Sequence, residues 1–158
     1  MAVKVKVDGL KDLDRALGEL PKSTAKAVLR RTLMKAGTPM AETMRSLAPD
    51  DPDTGGQDLK SGIGIGTKLS KRQAKMHRKT FKNDKAFAEV FVGAGPDPAA
   101  WNQEFGNINH GPQSFARPAW DQHKNEVVET IKTETWGEIE KATQRLARKA
   151  ARLAAKEQ

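Results

Sequence analysis

The chain has no cysteine and no tyrosine, and aromatic residues make up only 5% of its 158 positions. Without cysteine, disulfides and thiolate chemistry are excluded. A zinc site would have to be built from the three histidines, His77, His110 and His123, with carboxylates, and no two of them stand in HxxxH spacing. No apolar run approaches the roughly 20 residues of a membrane span. The start, MAVKVKVDG, alternates and lacks the apolar core of a signal peptide, so a cytosolic product with no membrane partner is expected. Hydrophobic residues are 37% of the chain and charged residues 30%, with a mean hydropathy of -0.70. One domain of this length can bury one modest core. With so little apolar material, long solvated helices or further burial in an oligomer must make up the rest.

What the chain does have is positive charge in one place. The net charge is +8, and residues 68–85, KLSKRQAKMHRKTFKNDK, hold eight Lys/Arg against one Asp. The remainder holds 20 Lys/Arg and 19 Asp/Glu. Such a block is ordinarily a solvated loop, and its sharper use is contact with a polyanion or an acidic neighbour. The residues that would make that contact are Lys68, Lys71, Arg72, Lys75, Arg78, Lys79, Lys82 and Lys85.

Periodicity predicts a short strand at Val3, Val5 and Val7, closed by Asp8-Gly9. Leu10, Leu13, Leu17 and Leu20 predict an amphipathic helix ending before Pro21. A second helix opens near Ser23, with Ala25, Leu29, Leu33, Ala36, Met40, Met44 and Leu47 as its apolar stripe and a kink or restart near Thr38, ahead of Pro39. Asp50, Asp51 and Asp53 crowd a Pro/Gly loop, but EF-hand spacing and its distal Glu are absent. LKSGIGIGT (59–67) lacks the GK[ST] of a phosphate loop, and its residues 61–67 read as a strand whose glycines mark an edge or close packing. It pairs with a strand at 86–93, where Phe87, Glu89 and Phe91 share one face and Ala88, Val90 and Val92 the other. The basic segment is then their protruding connection. From Pro118, helical spacing runs almost to the end, acids in its first part and Arg145, Arg148, Lys149 and Arg152 in its last, complementing the helix dipole. About 38 residues would span roughly 57 Å, too long for one small domain to cover.

The expected architecture is α+β: a small antiparallel sheet with a long protruding hairpin, packed by N-terminal helices and a long C-terminal helix. It forms one domain over residues 1–158, with 68–85 a basic hairpin loop and 140–158 a helical C-terminal extension.

Four of the eight aromatics crowd into WNQEFGNINHGPQSFARPAW, residues 101–120. A catalytic or metal constellation there would use Glu104, His110, Asp121 and His123, but none falls in a known ligand spacing, and Asp121 and His123 point to different sides of a helix. His110-Gly111-Pro112 reads as a turn. Glu104 is better placed as a helix cap or as a partner for Arg117. No catalytic role, cofactor or metal is expected.

The order of the pieces resembles the HK97 gp10-like family of tailed-phage proteins, which includes minor tail, tail-completion and neck proteins. A helix beginning Gly-Leu (Gly9-Leu10) leads to a long helix ending Ala48-Pro49. Thr54-Gly55, Leu59 and Ser61-Gly62-Ile63 follow, then a strand ending Val92-Gly93. Next come Trp101 with Glu104-Phe105-Gly106, and last Phe115 with Arg117-Pro118-Ala119. Asn107 stands where the family usually has Thr, and Ser114 where it usually has Pro. The resemblance covers about residues 8–135. It implies a non-enzymatic virion protein at the head–tail junction or the head-proximal tail end, made in the host cytoplasm. It would form a homo-oligomeric ring, sixfold to match the tail. The implied neighbours are a tail terminator, tail tube, connector or stopper, with non-specific contact to lumenal DNA through the basic segment. On this view Trp101, Glu104, Phe105, Gly106, Phe115, Arg117 and Pro118 form a fold-closing clasp. Phe105 and Phe115 pin a loop onto the sheet, and Gly106 takes a conformation closed to other residues. The alternative function is a nucleic-acid-binding module acting through residues 68–85. Against it, no helix-turn-helix or RNA-recognition signature is present, and Phe81 is the only aromatic of the segment.

Overall fold

The fold is α+β, mostly helical, in a computed structural model that describes residues 10–50, 59–82 and 86–156. The predicted strand at Val3–Val7, most of the Asp-rich loop and Lys85 lie outside the described residues. The helices are α1 (Leu10–Gly18), α2 (Lys22–Leu47), α3 (Leu59–Gly62), α4 (Lys71–Thr80), α5 (Pro98–Phe105) and α6 (Ala116–Ala154). Strands β1 (Ile63–Gly66) and β2 (Phe91–Ala94) make one two-stranded antiparallel sheet.

The frame is the pair α2 and α6. Arg31 meets Glu138 at 2.7 Å and, one turn on, Lys35 meets Glu134 at 2.6 Å. Numbers rise on one helix as they fall on the other, so the two run antiparallel. The Arg31 hydrogen bond holds the Glu138 carboxyl below its ordinary value against the opposing pull of burial. Both cations are solvent-exposed, so these pairs fix register more than they add stability.

Two apolar clusters flank this axis. At one end Leu13 of α1 packs with Val28, Ile139 and Ala142. At the other, Met40, Met44 and Ala48 enclose Leu59, Ile63, Phe115 and Ala119. Between them the helices meet through small residues, among them Thr32, Ala36 and Thr135. The buried stripe of α2 is therefore Ala25, Val28, Thr32, Ala36, Met40 and Met44, one residue off the leucine stripe predicted around Leu29 and Leu33. Leu47, the stripe's predicted end, is 44% exposed. Close helix approach selects small side chains and moves the leucines to the flanks.

The Thr135 hydroxyl donates to the Ile131 carbonyl, but the buried Thr32 hydroxyl has no hydrogen-bond partner among the described residues. An unpaired buried hydroxyl costs about 1–3 kcal/mol. Thr32→Val keeps the shape and removes the hydroxyl, so chemical denaturation should show equal or higher stability, by up to about 1 kcal/mol. A clear loss would mean that the hydroxyl is engaged after all.

Three sequence expectations change here. Pro39 does not restart α2, which is continuous from Lys22 to Leu47. Proline removes the hydrogen bond to the Lys35 carbonyl, yet Ala36, Gly37, Met40 and Ala41 around it are buried, and that packing holds the helix together. The strands are Ile63–Gly66 and Phe91–Ala94 rather than 61–67 and 86–93, because Ser61 and Gly62 belong to α3 and β1 offers only four residues to pair with. The basic segment is not simply a hairpin loop. It carries a ten-residue helix, α4, opened by a capping box in which the Ser70 hydroxyl accepts from the Gln73 amide and the Gln73 side chain accepts from the Ser70 amide.

The pairing register places Ile63, Ala94, Ile65 and Val92 on one face of the sheet. That face lies on α2, where Gly37 makes room: a Cβ there would come within 2.6 Å of Ile65 Cδ1 and 2.9 Å of Val92 Cγ2. The opposite face presents Gly64, Gly66 and Gly93, and a Cβ on any of them would meet nothing within 4 Å.

Candidate functional site

The 101–120 segment folds around a single carboxylate. Asp97 caps α5 by accepting from the Ala99 amide, with Pro98 at its first position. The helix brings Glu104 inward and leaves Trp101 and Phe105 outside. Glu104 Oε2 accepts from the amides of Phe115 (2.9 Å) and Ala116 (2.8 Å), and Oε1 from the amide (3.1 Å) and Nε (2.9 Å) of Arg117. These are the first free amides of α6. A helix start leaves four amides without partners. Glu104 takes three of them, and the fourth position is Pro118, which has no N–H to satisfy. A negative charge here also lies at the positive end of the helix dipole. Burial pushes the Glu104 carboxyl upward, but the backbone amides of Ala116 and Phe115 and the Arg117 side chain outweigh it and hold it below the ordinary carboxylate value.

Arg117 Nη2 then reaches the Glu104 carbonyl (2.6 Å) and the Ser114 hydroxyl (2.8 Å), while Ser114 donates to that same carbonyl (2.9 Å). The guanidinium lies 5.0 Å from the centre of the Phe105 ring, which leans on Trp101 at 4.4 Å. Gly106 ends α5 with φ 78° and ψ 171°, a region left to glycine, and a Cβ would come within 2.9 Å of the Pro112 nitrogen. The Asn107 side chain folds the following turn by accepting from the amides of Asn109 and His110. Asn107 and Ser114, the two departures from the resembled pattern, thus each hold the loop with their own side chains.

Most of the predicted clasp is brought together, with one correction. Phe115 is buried, but Phe105 is 50% exposed and Trp101 65% exposed. Phe105 pins nothing onto the sheet. An eight-residue helix that aims Glu104 inward must carry its neighbour Phe105 toward solvent, where it supports the Arg117 guanidinium. Trp120, 55% exposed on the first turns of α6, is a further outward aromatic.

The four residues weighed for catalysis go to separate tasks. The oxygens of Glu104 are taken up by α6. His110 is exposed and bonds Asn107 and the Gly111 carbonyl. Asp121 pairs with Lys124. His123 is buried, with Nε2 2.7 Å from the Thr43 hydroxyl and Nδ1 2.8 Å from Glu126. Among the described residues no group of three or more His, Asp or Glu could hold a metal ion, and no helix is long and apolar enough to cross a membrane.

The predicted basic contacts Lys68, Lys71, Arg72, Lys75, Arg78, Lys79 and Lys82 are all exposed, on α4 and its flanks. None forms an ion pair with a described carboxylate. His77 fixes the other side of α4, edge-on to Phe91 and 3.7 Å from Glu89. Beside it, Arg72, Gln73 and Met76 of α4 line a groove with Pro96, Pro98 and Trp101, joining the basic helix to the aromatic ledge. The helix itself was missed by periodicity, since it buries no residue. Its one sequence signal is Ser70-x-x-Gln73, the capping-box pattern. No family model, curated protein or solved structure matches the chain.

Proposed function

We propose that this chain is a structural virion protein of a tailed phage, working in a ring at the head–tail junction or the head-proximal tail end, with an architectural rather than catalytic role. The observation that supports this reading most is the meeting of the two sequence blocks on which the family resemblance chiefly rests. Glu104 of the Glu-Phe-Gly block holds the start of the helix that Phe115, Arg117 and Pro118 open. The residues shared with the family are thereby a device for launching a long helix at a fixed angle. Such a helix and the ledge of Trp101 and Phe105 suit contacts between neighbouring subunits and adjoining rings of terminator, tube, connector or stopper. Sixfold symmetry would match the tail.

Deleting the gene from its parent phage and imaging the lysate by negative-stain electron microscopy tests this. Separate DNA-filled heads and tails, or tails of abnormal length, are expected. Normal infectious particles would overturn it. The second reading, a nucleic-acid-binding module acting through 68–85, is favoured by the exposed cations of α4, which form no ion pair with a described carboxylate, and it would survive that second result.

A further inference from the structure

The last part of α6 departs from the rest of that helix in how its charges are arranged. Up to Lys141 every cation on α6 is paired: Arg117 with Glu104, Lys124 with Asp121, Lys132 with Glu129 and Lys141 with Glu138. From Arg145 onward none is. Arg145, Arg148, Lys149, Arg152 and Lys156 are exposed, and none forms an ion pair with a described carboxylate. The sequence holds no acid between Lys141 and Lys156; Glu157 follows, outside the described residues. At 3.6 residues per turn the four cations within the helix, Arg145, Arg148, Lys149 and Arg152, fall within an arc of about 100° and extend roughly 10 Å along the axis, and Lys156 follows just past its end. They line one shallow surface together with Leu153. Ala142 is the last buried residue of the helix, so this surface stands beyond the two clusters of the core. The helix dipole reaches only the last turn and cannot account for Arg145, Arg148 and Lys149.

We infer that this cationic face is a second polyanion site, distinct from residues 68–85, and that it takes the phosphodiester backbone of duplex DNA without reading bases. A run of like charges along one helix face matches a row of phosphates and leaves the counterions of both to be released. An anionic bilayer fits less well, because an interfacial helix inserts large apolar side chains and residues 143–156 offer only Leu146 and Leu153 among alanines. An acidic protein partner would want an aromatic anchor seated in a closed pocket at the centre of the contact, and this shallow face offers only Leu153. The inference stands independently of the proposed place in the virion.

The test uses the full chain and a fluorescently labelled duplex of about 20 base pairs and random sequence, read by anisotropy from 50 to 200 mM salt. One variant carries Arg145→Gln, Arg148→Gln, Lys149→Gln, Arg152→Gln and Lys156→Gln together. A second carries Lys71→Gln, Arg72→Gln, Lys75→Gln, Arg78→Gln and Lys79→Gln. Glutamine keeps helix propensity, and circular dichroism checks both. The first variant should bind at least about tenfold more weakly at 50 mM salt and lose about 4 from the slope of log affinity against log salt, at about 0.9 per phosphate. The second should retain most of that slope. The inference is overturned if the second variant alone abolishes binding, if the unaltered chain does not bind duplex, or if it binds phosphatidylserine vesicles in preference to DNA.

Discussion

Replacing Phe115 by alanine should cost about 3–5 kcal/mol, the usual price of emptying an aromatic site in a core. Phe115 is 2% exposed and lies among Met40, Met44, Leu59, Ile63 and Ala119, where α2, the sheet and the start of α6 converge. In a chain with so few large apolar residues little else can fill that space. Phe105→Ala should cost less than about 1 kcal/mol, because what it loses is an exposed contact with a guanidinium and with Trp101. Denaturant unfolding of both variants is the check. Equal losses would put Phe105 back in the core. If the junction role holds, Phe105→Ala together with Trp101→Ala should fold normally yet fail to restore infectious particles to the deletion phage.

Glu104 is the second large effect. Glu104→Ala strips three helix-start amides and a guanidinium of their acceptor at once. Hydrogen bonds to a charged group contribute about 1.5–3 kcal/mol, so a loss near 3 kcal/mol is expected. Glu104→Gln separates charge from shape. The folded carboxyl sits below its unfolded value of 4.5, so the ionised form favours the fold. That contribution is complete above the unfolded value and is lost as pH falls through the lower folded value. Thermal unfolding of the parent and Glu104→Gln proteins from pH 7 to pH 3 should show the parent's advantage shrinking below about pH 4.5. A gap that stays constant down to pH 3 would show that the parent's advantage does not come from ionisation of this carboxyl.

Much of this molecule was legible in local signals. Leu13 and Leu17 announce α1, and both lie in its cluster with α2 and α6. The spacing from Trp120 to Leu153 announces α6. Paired apolar runs around Ile63–Ile65 and Phe91–Val92 announce the sheet, although its length depended on what each strand could pair with. Glycine at 106 was readable as a special conformation because so few backbones demand one. Glu104 with Arg117 was readable because opposite charges beside a helix start have few better uses.

Local pattern could not say which side of α5 faces inward. Phe105 looks like core from its chemistry, and an acid does not. The hydrogen bonds of α6 reverse that order, since leaving its first amides unpaired would cost more than leaving one ring half-exposed. The same holds along α2, where distance to a neighbouring helix puts Val28 and Thr32 inside and moves Leu29 to a flank. Charge, by contrast, is fixed by composition, but its availability is not. The sequence alone determined that the chain is basic, helical after Leu10 and again after Pro118, and without thiol chemistry. Only the tertiary structure decided that every cation of α6 up to Lys141 has a carboxylate within reach and that those from Arg145 onward meet none among the described residues. Ion pairs join residues a turn apart or on facing elements, and past Ala142 no residue of the helix is buried against another described element.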